Sequence, residues 1–431
     1  MEKMHVENKS SNMTSDPLTV PGEQSPPDNE LKSKQEDTQE EDQRLSTWKK
    51  WRHATIDTLP TFIAIHLAVF VASCMAILFT VKDYSSQVFP LYTIWGEWNR
   101  WDTGNFIRFA NQGYIEKVNT AFFPLYPLLI KYVQIITFND GLLAGLLISS
   151  IADLVMLIVL YQLVYEEVGQ EQARRAVLYI SIFPTAFFYL AAYNESLFLC
   201  FTIMLFYCMR HRRWWLAGIC GIFAMLSRSV GILLVFPFLY EYLRQRHFQI
   251  RNIRFDILSV ALIPAALIAY GCYCYLYFGS FFSFATAQQN WYRQLVFPGY
   301  NLWLGFQFML EHGGGILSFI TLRTLTDALP DIFIFIVLIL AIVGPWRLRR
   351  DQMVYVVYGL IVFAYVQMYP TFRPMTPPLE ALSRYLLEIF PAFITLAIIG
   401  KNRLVNQCYL LVSGSLFFFL LTQFITGHWV I

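Results

Sequence analysis

Charge is what this chain has least of. Of its 431 residues only 14% are charged and 56% are hydrophobic, against roughly a quarter charged in ordinary soluble domains. A soluble fold would need several thick cores to hide that much apolar surface, whereas a bilayer acting as solvent removes the need. Cysteine is sparse too. The seven (Cys74, Cys200, Cys208, Cys220, Cys272, Cys274 and Cys408) all lie in apolar stretches, and none forms a Cys-x-x-Cys pair. Neither a disulfide framework nor a zinc site is expected. No His/Asp/Glu spacing makes a metal site, and no Gly-rich loop of the nucleotide-phosphate kind occurs. Internal repeats are missing as well. Residues 1 to about 45 lack apolar periodicity and are rich in Ser, Pro, Gln, Glu and Asp. Such a segment cannot bury enough surface to offset its ordering entropy, so disorder is expected. It is also too long and too acidic for the basic start of a signal peptide.

Aromatic rings and apolar runs are what remains. The 38 Phe, 25 Tyr and 11 Trp suit side chains set against lipid and at its boundary. Candidate spans lie near 59–81, 141–165, 176–191, 193–209, 214–227, 230–243, 255–278, 329–346, 353–369, 384–400 and 404–427. Some are short enough to be tilted or re-entrant. The expectation is an all-α polytopic membrane protein of about 11 transmembrane helices behind the 1–45 tail, with one membrane domain over 46–431.

Basic residues give the orientation. Lys49, Lys50 and Arg52 precede the first span. Arg174 and Arg175, Arg210 to Arg213, and Arg244 to Arg254 follow, then Arg347 to Arg350, then Lys401 and Arg403. With about eleven crossings all of these fall on one side, which the positive-inside rule makes the cytoplasm. The N-terminus is then inside and the C-terminus outside. The loops of substance, 82–140 and 280–328, and the shorter 370–383 face away from the cytoplasm.

The first outer loop carries the densest signal. Between Trp95 and Tyr114, helical spacing puts Trp98, Asp102, Asn105 and Phe109 on one stripe, with Trp101 and Phe106 alongside. Such a segment is expected to lie in the interface plane, its carboxylate facing a cavity, and to end at Gly113. Ala121 to Leu128, broken by Pro124 and Pro127, is expected to be re-entrant. Asp102 is either a solvated interfacial acid or a general base, partly desolvated by three tryptophans. Glu97 and Glu116 compete with it for the second role.

These residues resemble a known family. Trp101-Asp102 with Phe106, then Gly113-Tyr114, Glu116 and Ala121 to Leu125, is similar to the signature of the second GPI mannosyltransferase (PIG-V-like) family. Phe183-Pro184-Thr185, Tyr193 to Ser196, Ser227 to Gly231 and Ser383 to Leu387 resemble its later blocks, in the same order. Where the family has His in Trp-Asp-x-x-His-Phe, this chain has Asn105, an amide in place of a titratable ring. The pattern suits bacterial members at least as well as the eukaryotic enzyme. The resemblance spans roughly Leu59 to Ile431. It implies a GT-C-like glycosyltransferase that uses a polyprenyl-phosphate sugar, usually mannose, on the luminal or extracellular face; the catalytic-base role of Asp102 is an expectation from the chemistry.

Chemistry and topology point the same way. Nucleotide sugars are cytosolic, so an outward-facing enzyme needs a donor carried across on a lipid. The expected reaction inverts the anomeric carbon. The leaving lipid phosphate wants a cation. Arg228, deep between two short apolar segments, is a candidate, or else a snorkelling, helix-linking residue. Arg384 is expected to open the tenth span at a helix N-terminus and to suit phosphate with its planar fork, or else to anchor the interface. Arg373 and Arg323 are weaker. Glu195 is expected to contact sugar hydroxyls, to pair with Arg228, or simply to be a solvated turn acid. Asn105, Trp101, Tyr114 and Glu116 of the first loop, and Gln288 in the polar-aromatic run from Gln288 to Arg293, complete the substrate-binding set. Asp153, inside the second span, is an acid in a costly place.

Expected partners are a polyprenyl-phosphate sugar donor, a glycolipid or glycan acceptor and the bilayer, a bacterial plasma membrane or the ER. No metal, cofactor or nucleic acid is expected. The competing reading is a polyprenyl-lipid or small-molecule transporter, which would line a path through the bilayer with polar groups. In the enzyme, Asp102, Arg228 and Arg384 meet in one outward cavity. A scaffold recruiting partners through its tail would leave the Trp-Asp loop without a purpose.

Overall fold

The computed structural model describes residues 28–79 and 91–428, and among them every regular element is helical. Residues 1–27 of the expected disordered tail, and 82–90 of the first outer loop, lie outside the described residues. The chain divides into two units, Met1–Lys50 and Trp51–Ile431. In the first, the described backbone is helical from Asp28, where Glu, Gln and Lys, all good helix formers, outweigh the lack of an apolar face.

The helices that matter here are α1 (Asp28–Ala76), α2 (Asp102–Gln112), α3 (Gly141–Glu167), α4 (Gln170–Ser181), α5 (Glu195–Arg210), α6 (Trp214–Ser227) and α7 (Val235–Gln245). They are followed by α8 (Leu262–Phe278), α9 (Phe319–Leu340), α10 (Met353–Gln367), α11 (Leu382–Tyr385), α12 (Phe390–Ile399) and α13 (Arg403–Ile425). Four stretches are long and apolar enough to cross a bilayer unaided: Trp48–Phe79, Gly141–Glu167, Phe255–Phe278 and Arg403–Ile425. A fifth is bent by 80° between Leu382–Glu388 and Phe390–Ile399. Elsewhere the expected spans are broken. The 176–191 run divides into α4 and a 3-10 turn, Ala186–Tyr189, after Phe183-Pro184, where proline has no N–H to continue the ladder. The 230–243 run likewise starts as a 3-10 turn, Ser229–Leu234, before α7. The 121–128 segment, expected to be re-entrant, ends a 3-10 turn and enters a helix over Leu125–Val133.

Aromatics fill the core. Tyr126, Tyr161, Tyr189, Tyr193 and Tyr358 are among its largest fully buried side chains. A buried phenol needs an acceptor, and exposed carbonyls at helix breaks supply them. Tyr189 donates to the Leu387 carbonyl and Tyr358 to that of Glu388, each at 2.9 Å. Close packing of α3 on the turn before α5 relies on Gly145, where an added Cβ would sit 2.7 Å from Ala192 Cβ, the small-residue approach usual in membrane bundles.

Three of the basic clusters meet at one end of the bundle, through Arg210, Arg244 and Arg349. Arg210, closing α5, meets Glu167 at 2.5 Å, Glu241 at 3.1 Å and Asp351 at 3.2 Å. Tyr355 donates to Glu167 at 3.0 Å, and Arg244 pairs with Glu241 at 2.7 Å. Arg174, in the first turns of α4, holds Asp57 at 3.1 Å. The opposite ends of α5, α6 and α10 converge on a cavity.

Candidate active site

Three chain breaks aim side chains into that cavity, and each contains a non-glycine residue in the left-handed half of backbone space. Trp101 has φ 44°, Tyr292 φ 57° and Ala381 φ 68°. Such conformations cost of order 1–3 kcal/mol each and persist where the surroundings impose them. All three residues line the cavity. They precede, respectively, Asp102, Arg293 and the short turn that carries Arg384.

Trp101 breaks the expected interfacial helix, which therefore begins only at Asp102. Trp98 consequently leaves the stripe it was expected to share with Asp102, Asn105 and Phe109. As the first helical residue, Asp102 sits where the helix dipole favours a carboxylate. Its backbone N–H meets the Tyr193 hydroxyl at 3.3 Å, and its Oδ2 accepts from Arg384 Nη1 at 2.9 Å. The side chain keeps 27% of its exposure. The helix ends as expected at Gly113, with φ 72°.

Behind Asp102 the wall is aromatic. Phe424 of α13, fully buried, lies 5.1 Å from the Trp101 ring and 5.7 Å from Trp98, and 5.4 Å from both Phe187 and Phe188. Arg100 Nη2 donates to the Ile425 carbonyl at 2.7 Å. The end of α13 thus clamps the Trp-Asp turn. Phe424→Leu gives up the ring contacts while filling most of the space. It is expected to cost about 1 kcal/mol, read as a lowered thermal unfolding midpoint of the purified protein.

Arg384 does not open a long helix as the sequence predicted. It sits in the four-residue turn α11, after which the chain bends by 80° at Ile389, just before Pro391. Its guanidinium bridges two acids: Nη1 to Asp102 at 2.9 Å and Nε to Glu195 Oε1 at 2.5 Å. The same group lies 4.5 Å from the centre of the Tyr193 ring and 5.0 Å from that of Phe188, geometry suited to cation–π attraction. Asp327 of α9 fixes the turn by accepting from Ser383 N–H at 3.0 Å and Ser383 Oγ at 2.6 Å.

Arg228 is neither snorkelling nor free. It stands where α6 ends, donating from Nη1 to Glu195 at 2.6 Å and to Asn194 Oδ1 at 3.0 Å. Its Nε meets Glu388 at 2.7 Å. Glu195 is 1% exposed, so it is not a solvated turn acid, and its Oε2 is buried without a hydrogen bond.

The cavity has a volume of about 610 Å³, within the range of pockets for small ligands. Asp102, Arg228 and Arg384 all line it, together with Trp101, Gln288 and Glu388. Asn105 lies off it, accepting from Arg108 at 3.2 Å. Tyr114 is structural: it donates to the Phe122 carbonyl at 2.7 Å, and burial raises its phenol well above the ordinary range. Glu116 is exposed outside the cavity, and Glu97 pairs with Arg100. Arg323 pairs with Asp327 at 3.2 Å. Sequence reasoning missed Glu388 and took Arg293 only as the end of a polar-aromatic run suited to sugar contact; both line the cavity. A lone acid in the apolar run Leu386-Leu387-Glu388-Ile389-Phe390 was the available signal for the first.

Residues 123–275 match the family model described as dolichyl-phosphate-mannose-protein mannosyltransferase, a segment that holds Glu195 and Arg228 but neither Asp102 nor Arg384. GPI alpha-1,6-mannosyltransferase 2 of Mus musculus is 32% identical over 147 residues, which are 32% of this chain and 30% of that protein. Its counterpart from Rattus norvegicus is 28% identical over 214 residues, 47% of this chain and 42% of that protein. The matches thus span under half the length of these curated relatives. ArnT from Cupriavidus metallidurans, solved with undecaprenyl phosphate bound, superposes with a TM-score of 0.50 at 16% identity, covering 82% of this chain and 62% of that one. At that identity the likeness is one of fold. The family model, the curated relatives and the fold agree with the sequence blocks: over part of its length the chain is similar to PIG-V-like mannosyltransferases, and its fold is GT-C-like.

Proposed function

We propose that this chain is an inverting glycosyltransferase, moving a hexose, mannose on the strength of its relatives, from a polyprenyl phosphate to a lipid- or glycan-linked acceptor on the non-cytoplasmic face. The observation that carries this reading is the Asp102 carboxylate at a helix start, opening on a cavity at the end of the bundle away from the basic clusters. The relatives' names and the undecaprenyl phosphate held by ArnT support the donor class.

In the reaction, Asp102 takes the proton of an acceptor hydroxyl as that oxygen bonds to the anomeric carbon. The bond from the anomeric carbon to the phosphate oxygen breaks on the opposite face, and the lipid phosphate leaves with the electron pair. Water later receives the proton from Asp102. Arg384 holds Oδ2 and so fixes the direction of the carboxylate.

A transporter would continue its polar lining through the bundle. Along α5, about 22 Å by helical rise separates Glu195 from Arg210, and the turns between carry buried Phe198, Ile203, Leu205 and Phe206. The two charged sets are separate along this helix.

The test is transfer of radiolabel by the purified full-length chain, offered polyprenyl-phosphate mannose or a nucleotide-linked mannose with a panel of glycolipid acceptors. Incorporation from the lipid donor alone is expected. Incorporation from the nucleotide donor, or from neither, rejects the proposal.

A further inference from the structure

Arg228 and Arg384 were the arginines expected to hold the lipid phosphate, yet their charge is already spent. Asp102, Glu195 and Glu388 contact these two guanidiniums at 2.5–2.9 Å. Three carboxylates against two guanidiniums leave one net negative charge when all are ionised, and none if one proton is shared. Neither state offers surplus positive charge to an arriving anion.

Two other arginines of the cavity differ, although Arg293 shares the Tyr385 ring with Arg228 and Arg384, whose guanidiniums lie 5.4 and 5.9 Å from its centre. Arg293 and Arg373 both line the cavity, and among the described residues neither has an ion pair. Arg293 donates to the Tyr385 hydroxyl and lies 5.1 Å from the centre of that ring. Arg373 lies 6.0 Å from the Tyr292 ring centre. Rings orient a guanidinium without neutralising it. Glu380 also lines the cavity and pairs with neither arginine, so even with Glu380 counted against them these two arginines keep one positive charge in excess.

The two arginines come from separate loops that backbone bonds join. Phe372 N–H donates to the Tyr292 carbonyl at 2.8 Å, and Val296 N–H to that of Met368 at 2.9 Å. Arg293 and Thr371 form an antiparallel bridge. Joining the loops fixes the separation of the two cations, and the left-handed Tyr292 turns the chain just before Arg293.

We propose that Arg293 and Arg373 form the anion subsite of the cavity and hold a phosphate ester, whereas Arg228 and Arg384 serve to fix the carboxylates. The proposal deepens the glycosyltransferase reading, in which that ester is the lipid phosphate leaving group. Fork-shaped guanidinium donors suit phosphate oxygens, and positive charge placed there stabilises the negative charge that develops on the leaving oxygen.

The test measures binding of sugar-free undecaprenyl phosphate to the full chain in nanodiscs, which needs no turnover. Arg293→Gln/Arg373→Gln is expected to weaken binding at least tenfold and to raise the KM for the lipid donor more than it lowers kcat. Arg293→Lys/Arg373→Lys, which keeps the charge, is expected to recover most of the binding. A folded Gln variant that binds like the parent overturns the subsite, as does a Lys variant that fails as badly as the Gln variant. Both results leave the transferase reading standing if the parent still transfers mannose. Arginine-dependent binding in a parent that transfers nothing supports the subsite and removes the transferase reading.

Discussion

Asp102→Asn is expected to lower kcat by about 10²–10⁴-fold, the usual worth of a general base, while leaving the binding of undecaprenyl phosphate in place. The substitution is nearly isosteric, and its amide oxygen still accepts from Arg384 Nη1, now 2.9 Å from Asp102 Oδ2. The turn set by Trp101 and clamped by Phe424 should persist, so a loss of turnover reports the base and not the fold. The carboxylate divides its labour. Oδ2 is taken by Arg384, which leaves Oδ1 for the acceptor hydroxyl. Initial rates with labelled lipid donor decide the matter. A folded Asp102→Asn protein turning over at near the parent rate would remove Asp102 from the chemistry and, with it, the observation on which the proposed function stands.

How far the sequence could be read depended on whether a residue's role is local. Asp102 was visible because its surroundings, Trp98, Trp101 and Phe106, are its chain neighbours. Arg228 and Arg384 stood out as cations beside apolar runs, where charge needs a reason. Glu388 and the place of Arg293 in the cavity did not stand out in the same way. Glu388 lies four residues after Arg384 yet meets Arg228, and Arg293 reaches the cavity through pairing between loops about 80 residues apart. Pairing of that kind leaves little trace in periodicity. The expected phosphate role of Arg228 and Arg384 rested on counting cations without knowing which acids would face them. Of the basic clusters, Arg210, Arg244 and Arg349 come together around Glu167 and Glu241, and they were legible as a set because each sits near a helix end, and helix ends follow from span length. The count of about eleven spans was less secure, since breaks such as Phe183-Pro184 divide apolar runs that hydropathy alone joins. The first turns of α9, which starts at Phe319 and not near 329, hid for a related reason: Arg323 and Asp327 interrupt the apolar pattern there, yet Asp327 is buried.

Arg384→Ala is expected to remove both activity and stability. The side chain joins α2, α5 and the α11 turn, and its loss leaves Asp102 and Glu195 without a shared cation. Breaking a buried pair from one side typically costs about 3–5 kcal/mol, because the partner's charge stays behind. A loss of that size is a large part of the roughly 5–15 kcal/mol that holds a typical domain together. A sharp fall in the thermal unfolding midpoint and in the yield of monodisperse protein should accompany the loss of transfer. Arg384→Lys keeps the charge, but one ammonium does not reproduce the planar fork that meets Asp102 at Nη1 and Glu195 at Nε, so partial stability with low turnover is expected. The double change Arg384→Met/Asp102→Asn separates the two roles. With the charge gone from Asp102 as well, less is stranded, and the double variant should be more stable than the sum of the single losses predicts. Glu195 would still hold Arg228 at 2.6 Å. Activity should stay absent, because the base is missing. If the stabilities simply add, or if Arg384→Ala melts with the parent, then Arg384 is not the strut of this cluster.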